Sequence, residues 1–345
     1  MTKIYDQNEI DNLKTPFYYI DPRLDKFIRE WCNKNLFSSS KFINYQFIKL
    51  IHDKLKFLNK SIITHNSNRI YNQNLADFII NIVFSKEHIL ELFYQIDKKK
   101  NYIIIFRIDL QEDKNFINHP FFKLKNVIFW NYDLRDYFLL DDKCTPLRGV
   151  TMPTPYRYCG EPRLISANNN FLITFRGNCN QCGWYDSCKV RKILKNLCSD
   201  KNEMNKYNIV YEDTVDNIFI KTKKQFDDML LNSTFAFVLH GDGRWSYRFL
   251  EVLGSGAIPV LISDGVTLPL DNLIDYDKFI IRIPESVVNN AKNINDILKY
   301  LPKDHNKIIN MMNNIKAVYN KYFTDNDFTF ETMLKLSHKV INDNN

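Results

Sequence analysis

Glycine and proline are scarce, 9 and 11 in 345 residues, which excludes collagen-like and linker-rich architectures. Long apolar runs are missing too. Phe78-Ile79-Ile80 and Ile82-Val83-Phe84, with Asn81 between them, fall far short of the roughly 18–20 residues of a membrane span. Met1 to Asn12 holds no apolar stretch of the kind that marks a secretory leader, so the default location is the cytoplasm. Charge of one sign is not concentrated. The densest basic run is Lys98-Lys99-Lys100, a solvated loop, and the net charge of +7 is mild for this length. That balance suits an anionic small molecule and does not call for nucleic acid. Neither a Walker loop nor a Gly-x-Gly-x-x-Gly fingerprint is present.

Cysteine, by contrast, is present seven times, and Cys179, Cys182, Cys188 and Cys198 crowd into twenty residues. Without a leader, a disulfide framework is disfavoured. Cys179-x-x-Cys182 is a good half-site for a tetrahedral zinc, but the second pair is loosely spaced. A structural zinc, one or two disulfides, and free thiols all remain open. Trp184 and Tyr185 beside the cluster could stack on a sugar ring or simply pack.

Hydrophobic residues make up 45% and aromatics 14%, enough for a core in each of about two domains. Apolar residues at helical spacing predict helices over Leu75–Phe84 and Lys86–Ile96. Apolar, β-branched runs predict strands at Tyr102–Phe106, Val127–Trp130 and Tyr137–Leu140. The Pro- and Gly-containing stretch Cys144–Pro162 reads as a linker. Beyond it strands and helices alternate. Strands fall at Phe171–Phe175, Asn208–Tyr211, Thr234–Leu239, Ile258–Ile262 and Phe279–Ile281. Helices fall at Cys188–Leu197, Lys223–Leu231 and Ser246–Leu253, the last stopped by Gly254 and Gly256. This alternation predicts an α/β fold on a mostly parallel sheet, with a first domain over 1–155, a second over 156–330, and a C-terminal helix and tail over 331–345.

The stretch from Thr234 to Glu285 carries the chemistry. It reads strand, glycine-containing loop, helix, strand, loop. In open α/β sheets ligands sit beyond the carboxyl ends of the strands. Gly241 and Gly243 let the backbone approach a ligand, Ser246 can cap the helix, and a helix start favours an anion. Arg248 in the first turn can grip phosphate oxygens in a bidentate manner, with Glu251 on the same face three residues later. Arg for a diphosphate and Glu for ribose hydroxyls would suit a nucleotide. An ordinary surface Arg–Glu pair is the plainer reading of the same spacing.

The segment Phe237–Gly265, with its core His240-Gly-Asp-Gly-Arg-Trp-Ser-Tyr-Arg-Phe-Leu-Glu251 followed by Ile258-Pro-Val260, resembles the core motif of the exostosin family of glycosyltransferases. The resemblance continues through Leu268-Pro269-Leu270 and Ile274–Phe279 to Pro284-Glu285. Upstream, Phe175-Arg176-Gly177 and Arg191 are similar to the family's Phe-Lys-Gly and later Arg elements, and Val150-Thr-Met-Pro153 to the segment before its second domain. The likeness is dense over about 110–135 residues and thin over the first 100. It implies a GT-B-like fold of two Rossmann-like domains with an interdomain cleft, the first binding an acceptor and the second a nucleotide sugar. It implies transfer of a sugar from a UDP-sugar to a glycan or glycoconjugate hydroxyl, with inversion, and without a metal or other cofactor. Arg248 would hold the diphosphate, Glu251 the ribose or base, and Arg176 and Arg191 would face donor phosphates or acceptor. Asp136 and His240 are the candidates for the base that takes the acceptor proton.

Three departures stand out. No N-terminal anchor is seen, His240 stands where many members have Pro, and Asp136-Tyr137-Phe138 has Tyr where the family's Asp-His-Phe has His. Asp275-Tyr276-Asp277 fits the Asp-x-Asp metal pattern of the other major sugar-transferase architecture, but lies within the exostosin-like stretch and reads as solvated loop carboxylates. Two alternatives stay open. One is a resemblance to protein O-glucosyltransferases, which share an Asp-Gly-x-x-Trp-Ser-x-Arg pattern with Asp242–Arg248. The other is a non-catalytic partner subunit of exostosin type.

Overall fold

A computed structural model of the chain describes residues 4–16, 18–20, 77–83, 86–106, 119–131, 148–153, 163, 165, 169–179, 187–213, 223–241 and 244–343. The expected strand Tyr137–Leu140 and the residues Asp136, Cys182, Trp184, Tyr185 and Gly243 lie outside these ranges.

Two compact units are present. The first comprises Met1–Pro155, Thr267–Ile274 and Asp325–Asn345, the second Tyr156–Val266 and Asp275–Thr324. The first begins with α1 (Gln7–Asn12), whose Asp6 carboxylate accepts from the Glu9 N–H at 3.1 Å. It continues with β1 (Tyr18–Ile20), β2 (Phe78–Val83), α2 (Lys86–Gln95), β3 (Asn101–Phe106), β4 (Val127–Asn131) and β5 (Gly149–Thr151). The five strands are parallel and stand in the order β1-β2-β3-β4-β5.

The helix expected over Leu75–Phe84 is not formed in its described residues, 77–83. Its Phe78–Val83 portion is a strand in register with both Tyr18–Ile20 and Asn101–Phe106. A run that is apolar on both faces satisfies a period of 3.6 as readily as a period of 2, and only burial between two layers selects the strand. Gly149–Thr151 likewise leaves the expected linker to become an edge strand, tied by the Phe129 N–H to the Arg148 carbonyl and the Met152 N–H to the Asn131 carbonyl. Side chains of a strand alternate between faces. Ile79, Ile104, Val127 and Phe129 meet Ile89 and Leu92 of α2 together with Phe121 on one face.

The second unit contains β6 (Phe171–Gly177), α3 (Ser187–Leu197), α4 (Lys201–Lys206), β7 (Ile209–Asp213), α5 (Lys223–Leu231), β8 (Ser233–Leu239), α6 (Arg248–Ser255), β9 (Ile258–Ile262), β10 (Ile281–Arg282), α7 (Glu285–Asn290), α8 (Asn295–Leu298) and α9 (His305–Tyr322). Its sheet is also all parallel, in the order β10-β9-β8-β6-β7. Every residue of β8 and β9 is buried, as a central strand covered on both faces requires.

The expected strand Phe279–Ile281 starts later, because a 3-10 turn over Tyr276–Lys278 hands the Ile280 N–H to the Tyr276 carbonyl. The helix expected over Ser246–Leu253 runs instead from Arg248 to Ser255 and includes Gly254. Gly256, at φ +75°, ends it.

The chain then returns to the first unit as α10 (Asn326–Asn342). Trp130 points to the sheet face opposite Phe129. Its indole N–H donates to Ser337 Oγ at 2.8 Å, and its ring meets Phe330 edge-on. The excursion Thr267–Ile274 packs here as well. The Leu270 N–H bonds the Thr151 carbonyl at 2.9 Å, and the Asn272 carbonyl accepts from the Tyr5 N–H at 2.7 Å. Both segments, read from sequence as parts of the second domain and tail, thus belong to the first unit. Two α/β units on parallel sheets, the first completed by the long C-terminal helix, match the Rossmann-like pair expected.

Candidate functional site

In the second unit the chain runs outward from β6 to β7 and then returns to lay β8 on the other side of β6. Strand order therefore reverses between β6 and β8. At such a point the loops leaving the carboxyl ends diverge and open a crevice. Arg176 closes β6 there, and His240 follows β8.

Arg248 is delivered to the same edge by the start of α6. Its Nη1 donates to Glu251 Oε2 at 2.7 Å and its Nη2 to the Arg176 carbonyl at 2.9 Å. Its guanidinium lies 4.0 Å from the centre of the Phe226 ring on α5. The side chain keeps 26% of its surface exposed. Burial pulls its pKa below the ordinary arginine value. Glu251 opposes that shift, and the positive fields of Arg191 and Arg176 add to it. A plain surface pair is thereby ruled out. One flank is stacked on an aromatic and one edge is spent on a backbone carbonyl.

Glu251 is buried and shared. Oε1 takes Lys223 Nζ at 3.1 Å, and that ammonium also reaches Asp227 Oδ1 at 2.6 Å. A ladder Arg248–Glu251–Lys223–Asp227 therefore ties α6 to α5. Sequence reading missed Lys223, Phe226 and Asp227. The spacing of Lys223 and Asp227, four residues apart on a helix, was the available signal, but nothing local says that Glu251 completes the set. A carboxylate offers about four acceptor sites, so two cations leave Glu251 capacity for hydroxyl donors.

Arg191 sits on α3 and bridges the two strand ends. Nη1 donates to the Asn178 carbonyl at 2.7 Å and Nη2 to the His240 carbonyl. Its own backbone carbonyl accepts from the Tyr211 hydroxyl at 2.8 Å, and Tyr211 stacks on Phe175 at 4.7 Å. Arg176 Nε faces Glu212 at 3.6 Å. Arg176 and Arg191, far apart in sequence, thus both act through space on Arg248.

Gly241 closes its own loop, and Ser246 satisfies the helix start as expected. The Gly241 N–H is used within the loop, donating to the Trp245 carbonyl at 3.1 Å, and a Cβ at 241 would stand 3.2 Å from that same oxygen. A side chain at 241 would therefore fit only if that carbonyl gave way by a few tenths of an ångström. Ser246 Oγ accepts the Arg248 N–H at 3.3 Å, one position before the formal cap Tyr247. Its hydroxyl therefore satisfies one of the amides that an uncapped helix start would leave exposed.

His240 is buried and turns Nε2 toward Glu285 Oε1 at 3.6 Å. Glu285 and Asp264 clamp each other: Glu285 Oε1 accepts the Asp264 N–H at 2.9 Å, and Asp264 Oδ1 accepts the Glu285 N–H at 3.2 Å. For the Glu285 carboxyl, burial is the largest influence and raises its pKa. His240, the Asp264 amide and Arg244 together outweigh it and leave the pKa below the ordinary value.

Cys179 and Cys198 are unbridged. The Cys179 N–H donates to Asp213 Oδ1 at 3.1 Å, and its sulfur lies 3.8 Å from the Tyr211 hydroxyl. Burial pushes the Cys179 thiol up, and the Cys198 thiol up to about 12, so neither is a ready thiolate. Cys182 and the side chain of Cys188 lie outside the described residues. Among the described residues no group of three or more His, Cys, Asp or Glu gathers for a metal. Asp275 and Asp277 pair with Lys278 at 3.3 Å and Arg282 at 3.0 Å. Among the described residues no helix is long and apolar enough to cross a membrane.

A parallel α/β unit that gathers arginines where its strand order reverses offers a positively charged crevice at the carboxyl ends of its strands. Residues 141–298 match the exostosin GT47 domain. A Caenorhabditis elegans exostosin-1 homolog is 31% identical over 117 residues, 34% of this chain and 29% of that protein. Drosophila melanogaster exostosin-1 is 32% identical over 98 residues, 28% of this chain and 12% of that protein. The matches therefore span less than a third of the length of these relatives. Among solved structures, Arabidopsis thaliana UGT89C1 complexed with UDP-L-rhamnose aligns with 95% of this chain and 100% of its own at 11% identity and TM-score 0.38. An alpha1,3-fucosyltransferase aligns with 97% and 91% at 13% identity and TM-score 0.40.

Proposed function

We propose that this chain transfers a sugar from a UDP-sugar to a hydroxyl of a glycan or glycoconjugate, with inversion and without a metal. The reading rests above all on the arginine cluster at the β6–β8 reversal, inside the stretch that matches the exostosin GT47 domain. Three guanidiniums at a strand edge, two of them facing the carboxylates Glu251 and Glu212, form a fixed set of cations and hydrogen-bond donors. In the displacement, negative charge develops on the departing diphosphate, and such a set stabilises it without reorganising. Arg248 is the direct diphosphate contact, because Phe226 and Glu251 hold its plane in place. Glu251 offers its remaining acceptor sites to ribose hydroxyls. Arg191 and Arg176 supply field and hold the two strand ends together. The acceptor oxygen attacks the anomeric carbon as the diphosphate leaves with the bonding electrons, and a base takes the hydroxyl proton. Of the two candidates for that base, Asp136 lies outside the described residues, and His240 stands at the same edge with both ring nitrogens buried.

Release of UDP from a panel of UDP-sugars, with and without glycan acceptors, tests the reading. Turnover is expected to persist in EDTA. Turnover abolished by EDTA and restored by manganese would contradict the metal-free mechanism. Binding of UDP without release from any donor would point to a partner subunit that has lost turnover.

A further inference from the structure

We propose that Lys223 is a positioning residue for the donor site: by holding one oxygen of Glu251 it keeps that carboxylate from closing a two-pronged pair with Arg248, and so leaves guanidinium donors for the diphosphate. The inference rests on the glycosyltransfer reading, in which Arg248 meets the diphosphate, and deepens it. Lys223 opens α5 and Glu251 lies on α6, 28 residues later. The fold brings the ammonium to Glu251 Oε1 at 3.1 Å and to Asp227 Oδ1 at 2.6 Å. Asp227 is buried one turn further along α5, so Lys223 is anchored to its own helix while it reaches across to the next.

Each oxygen of Glu251 therefore carries a different cation. Arg248 Nη1 donates to Oε2 at 2.7 Å, and Nη2 goes to the Arg176 carbonyl instead of the second carboxylate oxygen. The terminal torsion of a glutamate is broad and roughly two-fold, so a carboxylate gripped at one oxygen turns about that contact. A guanidinium beside a free carboxylate favours the two-pronged fork. Lys223 on Oε1 opposes that turn. Phe226 adds to the control, because its ring centre lies 4.0 Å from the Arg248 guanidinium and 5.2 Å from the Lys223 ammonium. One rigid ring thus sets where both cationic heads stand. Burial is the largest influence on the Lys223 pKa and lowers it. Asp227 and Glu251 together outweigh it and leave the pKa above the ordinary lysine value, so the ammonium stays charged at neutral pH.

The plainer role for Lys223 is an ordinary pair with Asp227 four residues on, and the two are separable. In the full chain, Lys223→Met should weaken UDP binding by calorimetry at least about fivefold, the loss of roughly one hydrogen bond to the diphosphate. Lys223→Arg keeps the charge and should recover most of that loss. In a Glu251→Gln background Lys223→Met should change UDP affinity by less than about twofold, because residues that act as a unit are not additive. A glutamine has one acceptor oxygen and an amide that only donates, so it closes no fork for Lys223 to prevent. Lys223→Met leaves Asp227 buried without its cation. The double variant Lys223→Met/Asp227→Asn removes that charge as well and should show the same loss in folded protein.

Unchanged UDP affinity in Lys223→Met or in the double variant would overturn the proposal. A loss of equal size in the Glu251→Gln background would overturn it too, since it would mark Lys223 as a direct phosphate contact or a structural prop. In either case wild-type UDP release with acceptor would still uphold the glycosyltransfer reading. Wild-type protein that takes up no UDP would overturn both.

Discussion

At the residue scale, Arg248 carries more of the site than its spacing shows. A guanidinium stacked on Phe226 and paired with Glu251 loses little freedom when a phosphate arrives, so its charge-assisted contact should approach the upper part of the roughly 1.5–3 kcal/mol range. Arg248→Ala should weaken UDP binding about tenfold or more, read by calorimetry, with the melting temperature shifted by only a few degrees. Equal UDP affinity in the folded variant would remove the diphosphate role. The residue types Arg248, Glu251, Arg176 and Arg191 are legible in sequence because the motif surrounds them. Phe226 and Lys223 are not, because their relevance lies in which ring and which ammonium α5 happens to present to α6. Gly241 shows the reverse case: the glycine is legible, but its reason, a close carbonyl within its own loop, is not.

At the element scale, α6 depends on its end. Gly256 stands at φ +75°, and a Cβ there would lie 3.0 Å from Arg163 Cδ. Arg163 is itself buried, donating to the Leu230 and Ser233 carbonyls at the join of α5 and β8. Gly256→Ala adds a left-handed backbone penalty of about 1–2 kcal/mol to that contact. It should lower the urea midpoint clearly, whereas Gly254→Ala, inside the helix, has no such backbone cost. The Asp264–Glu285 clamp joins β9 to β10 and gives a pH signature. The Glu285 carboxyl lies below its ordinary value of 4.5 in the folded chain. The stability it contributes is therefore fully present above that value and is lost as pH falls through the lower folded one. The melting-temperature difference between wild type and Glu285→Gln should be largest near neutrality and shrink on acidification toward pH 3. A constant difference across that range would contradict the assignment.

For the whole molecule, the chain passes between its two units four times, because Thr267–Ile274 and Asp325–Asn345 return to the first. The last helix covers the sheet face that carries Trp130, Tyr18 and Phe78, through Ser337, Phe330 and His338. Deleting residues 325–345 would open that face to water. Such a truncation should bind a hydrophobic dye and aggregate on expression, while the full chain does neither. A truncated chain that stays soluble and binds no dye would contradict this packing.

Local patterns along the chain suffice for the parallel α/β class, most elements of the second unit, and the arginines and carboxylate of the exostosin-like motif. They do so because alternation of strand and helix and a dense motif are local properties. They misassign Phe78–Val83, since a doubly buried strand and a buried helix share one apolar pattern. Long-range packing is what reverses the strand order between β6 and β8, brings Glu285 to His240, and lets Thr267–Ile274 and the C-terminal helix complete the first unit. Those outcomes rest on contacts between residues distant in the chain, and no local periodicity encodes them.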